Sequence, residues 1–149
     1  MMVREDGERH WRGRAGETDM TESSNMATVR RFYDNLGSPE VLTQVLSPTI
    51  QWEITPGFPY GGVYNGVGAV FNDFFGRVLG DFDDWKTEAS ELLDAGDRVI
   101  GRGAYSGRCK ATGKRFTAQF VHVWTVADAQ IVRLQQCADT AQVSAASTP

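Results

Sequence analysis

Apolar residues recur along this chain with two different periods, and the period changes about halfway. The spacing predicts a first helix over Asn25–Asn35: Val29, Phe32, Tyr33 and the following Leu36 fall on one face, and Gly37 stands where a helix ends. Ser38–Pro39–Glu40 then reads as a fresh helix start: a capping hydroxyl, a proline at the first helical position and an acid in the first turn. Val41, Leu42, Val45 and Leu46 give that helix its stripe, and Ser47–Pro48 is expected to stop it. Thr49, Gln51 and Glu53 alternate with Ile50, Trp52 and Ile54, the period of a half-buried strand. The stretch from Pro56 to Gly62 is too rich in glycine and proline to be regular, yet unusually aromatic for a connector. From Gly66 to Leu79 the spacing predicts a third helix, with Val67, Val70, Phe71, Phe74, Phe75 and Val78 on a wide apolar face.

Beyond that helix the period is two. Strands are predicted over Trp85–Leu93, Arg98–Cys109, Phe116–Val126 and Gln130–Asp139, with turns at Asp94–Asp97, Thr112–Gly113 and Ala127–Ala129. Helices first and a meander of long strands afterwards predict an α+β fold, with the helices packed on one antiparallel sheet. The flanks differ from this middle. Residues 1–25 are polar and mixed in charge, and are expected to form a disordered tail; residues 26–141 form the domain, and 142–149 a short C-terminal tail.

At 149 residues the chain is one domain with room for a real core. Its net charge of −4 argues against a dedicated nucleic-acid surface. The basic run Arg9–Arg14 lies among Glu5, Asp6, Glu8, Glu17 and Asp19 and reads as a solvated tail rather than a binding arm. No run approaches eighteen apolar residues, so no transmembrane helix is expected. The N-terminus has no apolar secretory segment, so a cytoplasmic setting is expected. Two cysteines, Cys109 and Cys137, and two histidines, His10 and His122, do not make a metal site, and no metal is expected. There is no P-loop, no GxGxxG after a strand, no GxSxG and no HExxH, which disfavours nucleotide-dependent, serine-hydrolase and zinc-protease chemistry.

His122 is the most informative single residue. Alternation in Phe120–Val121–His122–Val123–Trp124 puts Phe120, His122 and Trp124 on one face, a titratable group centred between aromatic rings. With a pKa near neutrality such a histidine suits proton transfer; the plainer alternative is a core histidine held by one hydrogen bond. On the last strand Gln136 can face the same side and orient a carbonyl or water, and Asp139 is a candidate partner for His122 or a base, unless it is only an edge carboxylate. Tyr33, Tyr60, Tyr64 and Tyr105 are further donors for a developing oxyanion, although Tyr33 also fits simple core packing. Trp52, Phe58 and Trp124 are candidate pocket walls. Glu53 should point outward or to the rim, and Asp81, Asp83 and Asp84 read as a solvated acidic loop.

Several segments, in this order, carry a resemblance: Val29–Arg30–Arg31–Phe32–Tyr33–Asp34–Asn35–Leu36, Ile50–Gln51–Trp52–Glu53, Phe58–Pro59–Tyr60–Gly61–Gly62–Val63–Tyr64–Asn65–Gly66, and Phe120–Val121–His122–Val123–Trp124–Thr125 followed by Ile131–Val132. The chain resembles SnoaL-like and ketosteroid-isomerase-like proteins of the nuclear transport factor 2-like superfamily over roughly residues 26 to 141. The resemblance implies a cone-shaped α+β barrel, a strongly curved antiparallel sheet on about three N-terminal helices with a deep apolar pocket, often as a homodimer. It implies no metal and no organic cofactor. It puts His122 at the histidine of SnoaL-type cyclases, while the aspartate of those enzymes falls on Gln136 and the carboxylate base of ketosteroid isomerases, near Trp52, is missing.

The resulting expectation is a cofactor-free enzyme acting on a small apolar ketone, polyketide or terpenoid-like substrate by acid/base chemistry: cyclisation, isomerisation or dehydration. His122, Gln136, Asp139 and Tyr33 are the candidate catalytic residues; Trp52, Phe58, Tyr60, Tyr64, Phe120 and Trp124 are the candidate substrate contacts. The alternatives are a non-catalytic binder of a small hydrophobic ligand, and a structural or interaction module whose pocket is plugged by its own rings.

Overall fold

A computed structural model describes residues 22–149. Most of the expected N-terminal tail therefore lies outside the described residues. Helix α1 (Ser24–Asp34) opens with the Ser23 hydroxyl accepting from the Met26 N–H (3.1 Å) and buries Val29 and Phe32. Helix α2 (Pro39–Val45) starts as its sequence predicts, with Ser38 as cap and Pro39 first in the helix. Strand β1 (Leu46–Ile54) begins earlier than expected, running through Ser47–Pro48. Its register against β6 (Gln130–Ala138) shifts between Leu46 and Gln51, so Pro48 sits in an irregular stretch where its missing N–H is tolerated. The aromatic loop ends in a short edge strand, β2 (Gly62–Asn65), that sequence alternation did not reveal.

The third helix is continuous but not uniform. Ala69–Phe75 (α3) is wound as a π-helix and Gly76–Asp81 (α4) returns to α geometry, with the Gly76 N–H donating back to the Phe71 carbonyl. Strands β3 (Phe82–Ala95), β4 (Arg98–Cys109) and β5 (Arg115–Ala127) follow, close to their predicted spans. The expected C-terminal tail is instead helix α5 (Thr140–Ser147). Asp139 caps it, and Val143 and Ala146, three positions apart, are buried against the sheet. Two small apolar residues in a polar stretch were too weak a pattern to reveal it.

The six strands run in the order β2-β1-β6-β5-β4-β3. β1 pairs with β6 in parallel and every other neighbour is antiparallel, so the sheet is mixed rather than wholly antiparallel. It curls but does not close: β2 and β3 are its free edges, and the word barrel does not apply. Bulges between Asp83 and Lys86, Ala89 and Glu91, and Thr125 and Val126 bend the long strands around the helices. Among the described residues no helix is long and apolar enough to cross a membrane.

The core fills the concave side, where Ile50, Trp52 and Ile54 of β1 meet Phe120 and Trp124 of β5 under Phe32 of α1. Glycine makes room at one decisive point. Gly101 on β4 lies directly across from His122, and a methyl group there would sit 2.3 Å from the Tyr33 hydroxyl. Gly101→Ala is therefore expected to push the Tyr33 ring away from His122 and to cost about 1–3 kcal/mol. Thermal unfolding measures the cost, and an unchanged midpoint would mean that the ring has freedom the packing denies.

Candidate active site

Four secondary elements deliver one hydrogen-bonded chain. Helix α1 brings Tyr33, β4 brings Tyr105, and β5 brings His122 and Trp124 to the concave face. The cross-strand neighbour of His122 on β6 is Gln136. The Tyr33 hydroxyl lies 2.6 Å from His122 Nδ1 and the Tyr105 hydroxyl 2.6 Å from His122 Nε2. Trp124 Nε1–H donates to the Tyr33 hydroxyl (2.9 Å), and Gln136 Nε2–H donates to the Tyr105 hydroxyl (2.8 Å). The other end of Gln136 is fixed as well: its Oε1 accepts from the Thr55 N–H (3.2 Å), and its backbone carbonyl accepts from the Thr55 hydroxyl. Phe120 stacks on the imidazole at 3.9 Å between centroids, and Tyr33 lies parallel to it on a 5.9 Å spacing.

The expected near-neutral pKa of His122 does not hold in this environment. Only 3% of the residue is exposed, and burial pushes its pKa down from 6.5 to about 3. Burial pushes both phenols up, against weaker opposing hydrogen bonds from Trp124 to Tyr33 and from Gln136 to Tyr105. The whole array is uncharged at neutral pH.

Hydrogen counting then decides what the array can do. A neutral imidazole has one N–H, each phenol has one O–H, and Trp124 and Gln136 each bring one N–H to the chain. That makes five hydrogens for four contacts. If Nδ1 accepts from Tyr33, then Nε2–H donates to Tyr105, and the Tyr105 hydrogen is spare. If Nδ1–H donates to Tyr33, then Tyr105 donates to Nε2, and the Tyr33 hydrogen is spare. Either tautomer leaves one phenolic hydrogen free to donate, and Tyr105 lines the adjoining cavity.

That cavity is an aromatic cleft of about 30 Å³, walled by Phe32, Trp52, Phe58, Trp85 and Trp124 among others. Its volume is about one water's share of the liquid, so the deep open pocket expected for this interior is largely filled by rings. The cleft does not end there. Leu36, Phe75, Trp85 and Thr87 also line an outer, mainly apolar groove of about 600 Å³, so movement of the Phe75 and Trp85 rings would join the two spaces. Among the described residues no carboxylate lines the cleft, and no group of three His, Cys, Asp or Glu side chains converges as a metal site would require.

The predicted residues divide. His122, Gln136 and Tyr33 come together, and Trp52, Phe58 and Trp124 wall the cleft beside them. Phe120 lies beneath the imidazole as a support. Asp139 is elsewhere: it is exposed and its carboxylate accepts from the Gln142 N–H as the cap of α5. β6 ends at Ala138, so the chain has already turned away from the concave face. Glu53 pairs with Arg133 (3.0 Å) at the surface, outward as expected. Tyr60 and Tyr64 are not cleft residues. Tyr60 donates to Asp81 beneath the Arg77 guanidinium, and Tyr64 donates to the Tyr60 carbonyl (2.5 Å). Tyr105 is the residue that sequence reasoning underweighted. Its parity on β4 with Val99 and Gly101 was the available signal, blurred by three glycines in the same strand.

No functionally curated protein is similar enough in sequence to match this chain. Solved structures do match. An NTF2-like protein from Burkholderia thailandensis is 33% identical, with a TM-score of 0.80 over 84% of this chain and 98% of that one. An NTF2-like protein of unknown function from Burkholderia pseudomallei is 25% identical, with a TM-score of 0.77 over 85% and 99%. TerC, co-crystallised with polyporic acid, shares the fold at 23% identity, with a TM-score of 0.74 over 83% and 98%. The family model of the SnoaL-like domain matches residues 29–134, which include Tyr33, Tyr105 and His122. With most of the domain matched and the same curved α+β fold in its structural relatives, the chain belongs to the SnoaL-like domain family.

Proposed function

We propose that the cleft receives the carbonyl oxygen of a small, largely apolar ketone and polarises it, without a cofactor, so that the ketone enolises and then isomerises or cyclises. The single observation that carries this reading is the Tyr105 hydroxyl at a cleft lined by no carboxylate, with its hydrogen free to donate when His122 carries its proton on Nε2. Neutral donors in a dry site favour negative charge on an oxygen they face, and they need no reorganisation as that charge develops. The family includes polyketide cyclases and ketosteroid isomerases, whose reactions build charge on a carbonyl oxygen.

In the proposed step the α C–H bond of the ketone breaks and its electron pair forms the C=C bond. The carbonyl π electrons move onto oxygen, which the Tyr105 O–H holds. The proton leaves to water at the groove side of the cleft. Reprotonation at another carbon isomerises the substrate; attack of the enol carbon on a second carbonyl cyclises it. His122 and Tyr33 position Tyr105 and pass hydrogen-bond polarisation along the chain. Because the cleft supplies donors and no carboxylate base, it suits ketones whose α-hydrogens are already acidic.

A second reading, binding without turnover, is favoured by one observation: both His122 nitrogens are engaged and no carboxylate stands beside them. Deuterium uptake into 2-tetralone, a flat apolar ketone with acidic α-hydrogens, separates the two. The proposal expects the protein to accelerate uptake well above buffer. Binding of 2-tetralone with uptake no faster than buffer would leave only the second reading.

A further inference from the structure

The helix between the cleft and the outer groove holds more glycine than its shape needs. Gly68, Gly76 and Gly80 lie on the exposed side of the helical run 67–81, and none of them has a positive φ. A methyl group would meet nothing within 4 Å at Gly68 or Gly80, and at Gly76 only the Phe71 carbonyl, at 3.4 Å. Alanine fits all three positions. Each glycine instead weakens an exposed helix about fivefold relative to alanine, and the three together about a hundredfold. No turn and no close approach calls for them, so what they supply is freedom to unwind.

Their placement makes the helix a strap tied at both ends. At the start the Gly66 N–H donates to the Ile50 carbonyl (2.7 Å). At the end the Asp81 carboxylate accepts from Tyr60, and its backbone carbonyl accepts from the Lys110 N–H (3.0 Å). Gly68 stands just inside the first tie, Gly80 just inside the second, and Gly76 marks the change from π to α winding. Winding of the π type is itself rare and concentrates at functional sites. Between the ties the strap is a partition: Phe74 and Val78 line the cleft, Phe71 and Leu79 line the groove, and Phe75 lines both. The half-buried Phe75 ring packs on Trp52, Phe71 and Phe74, contacts with no hydrogen bond in them. Trp85 opposite is held, by its place on β3 and by its indole N–H donating to the Thr87 hydroxyl (3.1 Å).

We infer that α3 and α4 form a gate over the cleft, that Gly68, Gly76 and Gly80 let it open, and that Phe75 is the leaf that turns. This rests on the carbonyl-binding reading above and adds how access to that site is controlled. A cleft of about 30 Å³ takes no ketone until a wall moves, and the glycine-softened wall is the one that yields. The ketone enters from the outer groove past Phe75, and the helix recloses behind it.

The test follows the association of 2,2-dimethyl-1-indanone with the full chain by tryptophan fluorescence in a stopped-flow instrument. The triple variant Gly68→Ala/Gly76→Ala/Gly80→Ala is expected to unfold at a higher temperature than wild type and to bind at least tenfold more slowly. Its equilibrium affinity should stay within a few-fold, because release slows with entry. Phe75→Ala, which trims a half-buried ring, is expected to bind and release the probe at least tenfold faster than wild type. A triple variant that is more stable yet binds at the wild-type rate, or a Phe75→Ala that binds no faster, would overturn the gate while leaving carbonyl binding intact. If none of the three proteins binds the probe, the gate and the reading it rests on both fall.

Discussion

Tyr105→Phe is expected to abolish most of the site's effect on a ketone while leaving the fold in place. The substitution removes one hydroxyl from a ring packed against Phe58, Trp85 and Phe120 and keeps those contacts. It deletes the donor that faces the cleft and leaves Gln136 Nε2–H and one His122 nitrogen to find other partners. Loss of a single preorganised oxyanion donor costs about 10²–10³ in rate, so deuterium uptake by 2-tetralone should fall by about that factor. The stability cost should be about 1–3 kcal/mol, visible as a lower unfolding midpoint but not as unfolding at room temperature. Uptake within threefold of wild type would remove Tyr105 from the reacting end of the chain.

Acid should unfold this protein through His122, and the sign follows from burial. The imidazole is held neutral down to about pH 3 in the folded chain, whereas its ordinary value is 6.5. Between those values the unfolded chain binds the proton and the folded chain does not. The contribution is therefore fully present above about pH 6.5 and is lost as pH falls, at up to about 1.4 kcal/mol per pH unit and about 5 kcal/mol in all. His122→Gln removes the group, so its stability should depend less steeply on pH between 6 and 4 than that of wild type. Chemical unfolding at a series of pH values measures both slopes. Ring signals of His122 that titrate near 6.5 in the folded protein would contradict the account, because they would require water or a counter-charge at the imidazole. The same depressed pKa predicts that any ketone turnover shows no inflection from His122 between pH 5 and 8.

The site was partly legible in the sequence, because some of its rules are local. Strict alternation in Phe120–Trp124 is enough to put His122 on the concave face, and parity along β6 puts Gln136 beside it. The apolar stripe of α1 carries Tyr33 inward for the same reason that it carries Phe32. What the sequence did not disclose depends on contacts distant along the chain. Pairing of β1 with β6 in parallel joins segments some eighty residues apart, and no local pattern announces it. The π winding of Ala69–Phe75, which carries Phe74 and Phe75 to the cleft wall, is invisible to an apolar stripe that fits an α-helix equally well. The pKa of His122 is set by how completely its neighbours exclude water, so a histidine written among aromatic residues reads the same whether it titrates at 6.5 or near 3. Asp139 failed for a simpler reason: capping α5 and facing the cleft are competing uses of one carboxylate, and the helix takes it.

In the proposed function an uncharged phenol in this cleft donates to a ligand carbonyl. The carbonyl stretching frequency of bound 2,2-dimethyl-1-indanone reads that hydrogen bond directly. In wild-type protein the band should lie well below its position in an alkane solvent, and in Tyr105→Phe it should return most of the way toward that position. A bound ketone with an alkane-like frequency in wild-type protein, or a lowered frequency that Tyr105→Phe leaves unchanged, would contradict the account.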